Sequence, residues 1–218
     1  MSVLADGHGP VAVLGGTFDP IHNAHLRVAL EAGEALGAHV HMIPASVPPH
    51  REQPLASAAQ RMAMLELALA GQQRLLADPR ELERAGASYT VDTLAQLRME
   101  YGPSRPLVLL LGADAFAGLS TWHRWRELFT HAHIVALTRP GHGGVFEAEL
   151  ASEWYARRVG DIAELGDSPA GRCAPLEVTA LEISASAVRA ALARGGSARY
   201  LVPAAVDDYI RQHALYGS

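Results

Sequence analysis

The chain reads as an α/β protein, a doubly wound, Rossmann-like parallel sheet with helices on both faces. Three observations predict it. Short strand-like runs, Val11–Leu14, His39–Ile43, Leu107–Leu111 and Ile134–Leu137, alternate with helix-length amphipathic segments. Several of those runs are continuously apolar, as strands covered on both sides are. The residues best suited to chemistry fall in the loops directly after the strands, where such sheets bind ligands.

Each element has its own signal. Val11–Leu14 runs into Gly15-Gly16, and a helix follows with Asn23 as candidate N-cap and Gly37 as its stop. Leu26, Ala29, Leu30 and Gly33 share one face of it. His39–Ile43 is the second strand, closed by Pro44, and Ala45–Pro54 is a loop around Pro48-Pro49-His50-Arg51. Ser57 and Gln60 have capping-box spacing before a helix that carries Met62, Leu65 and Leu69 and ends at Gly71. Gln73–Ala77 can form a third strand. Thr90 is a candidate N-cap for a helix that turns Val91, Leu94 and Leu97 inward. Leu107–Leu111 is a strand that runs into Gly112-Ala113-Asp114, and Trp125 and Leu128 lie at helical spacing and read as core. Ile134–Leu137 ends at Thr138-Arg139-Pro140-Gly141. Residues 141–172 are poorly patterned, with a helix near Phe146–Arg157. Leu176–Val178 reads as a last strand. Helices near Ser186–Arg194 and Pro203–Ala214 finish the chain, with Pro203 suited to a first turn. Residues 1–9 read as a disordered lead-in, and residues 10–218 as one domain with the C-terminal helices packed on it.

Composition narrows the function. With 218 residues, 49% of them hydrophobic, the chain can bury a large core. Its net charge of −5 disfavours a nucleic-acid-binding surface. The single cysteine, Cys173, excludes a disulfide framework and reads as a spare thiol in a reducing cytoplasm. The N-terminus lacks the basic and apolar regions of a signal peptide, and no apolar run is long enough to span a bilayer. The expectation is a soluble cytoplasmic protein with no membrane partner.

The stretch Gly15-Gly16-Thr17-Phe18-Asp19-Pro20-Ile21-His22-Asn23-Ala24-His25-Leu26 carries the chemistry. The glycines let backbone approach a ligand closely. A helix N-terminus favours phosphate. His22 and His25 can donate hydrogen bonds to phosphate oxygens and stabilise charge that builds there. The bland alternative is a glycine turn beside two unrelated histidines. Zinc is disfavoured because no third ligand stands at helical spacing. The chain has neither a P-loop nor a Gly-x-Gly-x-x-Gly turn after its first strand. Farther on, Ile183-Ser184-Ala185-Ser186-Ala187-Val188-Arg189 reads either as phosphate ligands or as a serine N-cap with a solvated arginine.

Gly15–Leu26 resembles the signature of the nucleotidyltransferases of the His-x-Gly-His superfamily, and Ser184–Arg189 resembles that superfamily's distal Ser-Ser-Thr-x-Ile-Arg motif. Further segments are similar to the bacterial nicotinate-nucleotide adenylyltransferase family. They are Pro48-Pro49-His50-Arg51, Ala87 to Leu94, Gly112-Ala113-Asp114 through Trp122-His123-Arg124-Trp125, Arg139-Pro140-Gly141, and Tyr200 to Pro203. The resemblance spans about residues 11 to 212.

It implies adenylyl transfer from ATP to nicotinate mononucleotide, giving nicotinate adenine dinucleotide and pyrophosphate, a step of NAD biosynthesis. His22, His25 and Arg189 would be catalytic. Gly15, Gly16, Thr17, Phe18, Arg51, Asp114, Ser184 and Ser186 would bind ATP. Thr90, Trp122, His123 and Arg139 would bind the mononucleotide, with Trp122 stacking on the nicotinate ring. Mg²⁺ would arrive on ATP, with no dedicated protein metal site. Three positions depart from the family pattern. Ala24 adds a methyl where the family has glycine, Arg51 replaces lysine, and Ala185 lacks a hydroxyl. Taken singly, Trp122 also reads as core, Thr90 or Asp114 as a helix cap, and Arg139 as solvated. The competing readings are a phosphopantetheine adenylyltransferase and a non-catalytic nucleotide-binding module. Homo-oligomer formation is left open.

Overall fold

The computed structural model describes residues 9–46, 53–138 and 148–217. One parallel sheet contains β1 (Val11–Gly16), β2 (His39–Pro44), β3 (Leu75–Ala77), β4 (Leu107–Gly112), β5 (His133–Thr138) and β6 (Cys173–Glu177). Their order is β3-β2-β1-β4-β5-β6. The direction of winding reverses between β1 and β4, so a crevice opens at their carboxyl ends.

Alternation along the strands splits the core into two layers. Ala12, Leu14, Val40, Met42, Val108, Leu110, Val135 and Leu137 point to one face. There they meet α1 (Asn23–Leu36), α2 (Ala58–Leu69), α7 (Ala185–Ala193) and α8 (Ala204–Gln212). Val11, Val13, Ile43, Leu107, Leu109, Leu111, Ile134 and Ala136 point to the other. That face is covered by α3 (Thr90–Tyr101), α4 (Ala113–Ala117), α5 (Leu128–His131) and α6 (Ala148–Arg157). The doubly wound sheet expected from the sequence is the sheet observed.

Boundaries differ in instructive ways. His22, not Asn23, is the N-cap of α1. Asn23 turns outward instead, its Nδ2 donating to Tyr200 O at 2.8 Å and its backbone N–H to Leu201 O at 2.9 Å. Tyr89, not Thr90, caps α3, and its side chain makes no capping bond. Pro203 is the N-cap of α8 rather than a first-turn residue. β6 begins at Cys173, three residues earlier than expected, and includes Pro175. It neighbours only β5 among the strands of the sheet, with a single further bridge from Cys173 to Arg158, and an edge strand tolerates proline.

Other signals hold. Ser57 Oγ accepts from Gln60 N at 3.2 Å, and Gln60 Oε1 accepts from Ser57 N at 2.9 Å. Gly37 ends α1 at φ 60°. Val91, Leu94, Leu97, Trp125 and Leu128 are buried. Cys173 is buried and free, and burial pushes its thiol pKa up to about 12, so it is unreactive at neutral pH. The expectations for residues 1–8 and for a helix start at Phe146 lie outside the described residues. Among the described residues no helix is long and apolar enough to cross a membrane.

Candidate active site

β1 delivers Gly15 and Gly16 to the crevice, in register with Ile43 and Pro44 of β2. The two glycines differ in purpose. A Cβ on Gly16 would stand 2.6 Å from the Phe18 ring, so a side chain cannot fit without displacing Phe18. A Cβ on Gly15 would meet nothing within 4 Å, which leaves room for a ligand against the backbone. Phe18 is buried and adopts φ 50°, a left-handed conformation disfavoured for an aromatic residue. The chain then enters α1 with His22 at its cap and His25 one turn on.

The two imidazoles stack at 3.6 Å between centroids, with an interplanar angle of 20°. Phe18 stands edge-on to His25 at 5.1 Å. His22 N donates to His25 Nδ1 at 3.4 Å. The proton of a neutral His25 therefore sits on Nε2, which is left as a donor. His22 Nδ1 is buried and has no hydrogen-bond partner among the described residues. Burial lowers the His22 pKa to about 4. Burial, and then the nearby His22, lower that of His25 to about 3. Both rings are neutral donors at pH 7. A bound polyanion would raise both values, and at 3.6 Å the rings resist double protonation.

These shifts predict a pH dependence of stability. The unfolded chain binds protons below about 6.5, whereas the folded rings refuse them until about 4 and 3. Their contribution is complete above the unfolded value and is lost as pH falls through that window. Urea denaturation of the ligand-free protein should therefore give a lower midpoint near pH 5 than near pH 7, and replacing either histidine by asparagine should shrink the difference.

Arg189 joins the distal segment to this loop. From α7 its Nη1 donates to Asp19 O at 2.7 Å, a contact between residues 170 apart in sequence. Ser184 is the N-cap of α7, with Oγ accepting from Ala187 N at 3.2 Å and lying 3.1 Å from Ser186 Oγ. Ser184 caps a helix, as the N-cap reading expects, whereas Arg189 is not simply solvated but reaches the glycine–histidine loop. The first turn of α1 is less open than a bare helix end. Leu201 O accepts from Asn23 N, and His22 O accepts from His25 N and Leu26 N.

Across the switch point, Asp114 is exposed in the first turn of α4, directly after β4. The second group of side chains gathers at the start of α3. Tyr89 and His123 rings lie 4.3 Å apart. Thr90 opens the helix, and Trp122 is half-buried against the second core layer. Trp122 follows a short 3-10 turn, Leu119–Thr121, its N–H donating to Leu119 O at 3.0 Å. Arg51 and Arg139 lie outside the described residues.

Asp19, Arg61 and Tyr216 were not singled out from the sequence. Asp19 is buried and accepts from Leu55 N at 2.9 Å, Ala56 N at 3.1 Å and Tyr216 Oη at 2.7 Å. Arg61 is 1% exposed and donates to Thr17 O and Ala45 O, each at 2.7 Å, and to Ser46 O at 3.2 Å. Arg61 could have been suspected, since it shares the helical stripe of the buried residues Met64 and Leu65.

Among the described residues no group of three or more His, Cys, Asp or Glu side chains is placed to hold a metal ion.

Residues 13–191 match the family described as cytidylyltransferase-like, which together with the crevice geometry makes the chain a nucleotidyltransferase. A protein of Dechloromonas aromatica named "Probable nicotinate-nucleotide adenylyltransferase" is 50% identical over 211 residues, covering 95% of this chain and 97% of that one. One of the same name from Marinobacter nauticus is 47% identical over 207 residues, covering 94% and 96%. The chain belongs to the nicotinate-nucleotide adenylyltransferase family. The Plasmodium falciparum nicotinic acid mononucleotide adenylyltransferase complexed with NaAD has a TM-score of 0.71 over 96% of this chain and 98% of its own. At 17% identity that likeness concerns the fold.

Proposed function

We propose that this protein transfers the adenylyl group of ATP to nicotinate mononucleotide, releasing pyrophosphate and forming nicotinate adenine dinucleotide, in the cytoplasm and within one domain spanning residues 10–218. The observation that supports the reading is the 2.7 Å bond from Arg189 to Asp19 O, which joins the distal serine–arginine segment to the glycine–histidine loop.

A phosphate oxygen of the mononucleotide attacks the α-phosphorus in line. The new oxygen–phosphorus bond forms as the bond to the β-phosphate oxygen breaks. The attacking phosphate is already an anion, so no general base is required. Catalysis is positioning plus stabilisation of charge on the α-phosphoryl oxygens and the leaving pyrophosphate.

His22 and His25 donate to the triphosphate, and Arg189 with Ser184 and Ser186 holds the departing phosphates. The backbone of Gly15, Gly16 and Thr17, with Phe18 behind it, lies against the nucleotide. Arg51 and Asp114 contact ATP. Thr90 and His123 offer backbone N–H groups to the nicotinate carboxylate, Trp122 stacks on its ring, and Arg139 contacts the mononucleotide. Magnesium enters as part of the substrate, MgATP, held by phosphate oxygens and water.

If Trp122 is the stacking platform, Trp122→Ala raises KM for nicotinate mononucleotide about tenfold and changes KM for ATP less than about twofold. Steady-state titration of each substrate checks this. The acceptor assignment is tested by comparing nicotinate and nicotinamide mononucleotides. The carboxylate should be preferred by kcat/KM, and equal use of both would remove the role given to the start of α3.

A further inference from the structure

We propose that Tyr216, close to the C-terminus, is a positioning residue for the triphosphate site, acting through Asp19 on the aim of Arg189. The inference rests on the reading of Arg189 as a phosphate ligand and extends it to a residue outside both phosphate-binding motifs.

The turn before His22 is held from several directions. Arg61 takes the carbonyl of Thr17, and Arg189 takes the carbonyl of Asp19. The Asp19 carboxylate receives two backbone amides, Leu55 N and Ala56 N, and one side chain, the Tyr216 hydroxyl at 2.7 Å. Phe18, next in the turn, sits at φ 50°, and a strained backbone persists only where its surroundings over-determine it. The short 3-10 turn Leu215–Gly217 that carries Tyr216 rests on α7, the helix of Arg189, since a Cβ on Gly217 would lie 3.4 Å from Ala193 Cα.

The arrangement is electrostatic as well as steric. Arg189 Nη1 lies 3.9 Å from Asp19 Oδ2, beyond hydrogen-bond contact. Ala56 N and the Tyr216 hydroxyl fill Oδ1 and Leu55 N binds Oδ2, which fixes the orientation of the carboxylate while Arg189 bonds the backbone carbonyl. Burial, and then the bond to Asp19, raise the Tyr216 pKa well above the usual phenol range, so it remains a donor at every working pH. Without that hydroxyl, Asp19 Oδ1 loses its one side-chain donor. The carboxylate is then free to turn toward the cations beside it, Arg189 and Arg61, and Arg189 is drawn to it at the expense of phosphate.

The test is a double-mutant cycle of Tyr216→Phe and Asp19→Asn, with full kinetics for both substrates and a thermal melt of each variant. Tyr216→Phe should raise KM for ATP about tenfold, with KM for nicotinate mononucleotide within about twofold of wild type. The double variant should be no worse than Asp19→Asn alone. Unchanged kinetics in Tyr216→Phe would overturn the proposal. So would equal changes in both KM values with a lowered melt, which mark a merely structural hydroxyl, or effects that multiply in the double variant. If Asp19→Asn does not fold, the KM split in Tyr216→Phe decides alone. Arg189→Ala in the same assay separates the two claims. An active Arg189→Ala enzyme would remove the phosphate-ligand reading itself, whereas an impaired Arg189→Ala beside an unaffected Tyr216→Phe would remove only the role of Tyr216.

Discussion

His22→Ala lowers kcat with MgATP and nicotinate mononucleotide by about two to three orders of magnitude, the loss expected when a preorganised donor to developing charge is removed. His22 is the strongest candidate because the fold places it at the turn into α1, buried and stacked on His25. Its Nδ1 makes no hydrogen bond among the described residues, so truncation strands no protein partner of that atom. The ring makes a poor structural element and a good ligand for an incoming anion. The fold should survive, with far-UV dichroism unchanged, so the loss can be assigned to chemistry. Near-normal turnover in this variant would refute the role given to His22.

The largest effect on stability should come from Arg61→Met. Methionine preserves much of the packing but removes the donors to Thr17 O, Ala45 O and Ser46 O. A fully buried carbonyl left without a partner costs about 1–3 kcal/mol; these three are partly buried, so the variant should lose about 3 kcal/mol in total in urea denaturation. Burial lowers the Arg61 pKa, and the nearby Asp19 carboxylate opposes that shift, as befits a cation kept charged inside the protein by its partners. Activity should fall as well, because the same side chain ties the loop after β1 to the loop after β2. A loss below about 1 kcal/mol would mean that water replaces the guanidinium.

The contrast between these two residues shows what was legible in the sequence. His22 stands in a motif whose chemistry can be read from residue type and spacing. The strand before it and the glycines beside it are local signals too, as are the Ser57 capping box and Gly37. Arg61 and Asp19 are tertiary facts. An arginine in α2 reads as a solvated charge until the carbonyls of Thr17, Ala45 and Ser46 are brought around it. Only the periodicity with Met64 and Leu65 hints at its burial; the stripe Met62, Leu65 and Leu69 finds two buried residues, while Met62 is half-buried. Tyr216 was illegible for the same reason, since its partner lies 197 residues away. Asn23 resembled a cap by residue type, but Tyr200 and Leu201 recruited it from the far end of the chain. Local chemistry pointed to the candidate site, and the network around its loop comes from long-range contacts.

The account depends most on what is transferred, and to what. The direct measurement incubates the pure protein with MgATP and either nicotinate mononucleotide or phosphopantetheine, and quantifies dinucleotide and pyrophosphate. Formation of nicotinate adenine dinucleotide and pyrophosphate in equal amounts, abolished or nearly so by His22→Ala, is the predicted result. Turnover of phosphopantetheine with none of nicotinate mononucleotide would contradict it.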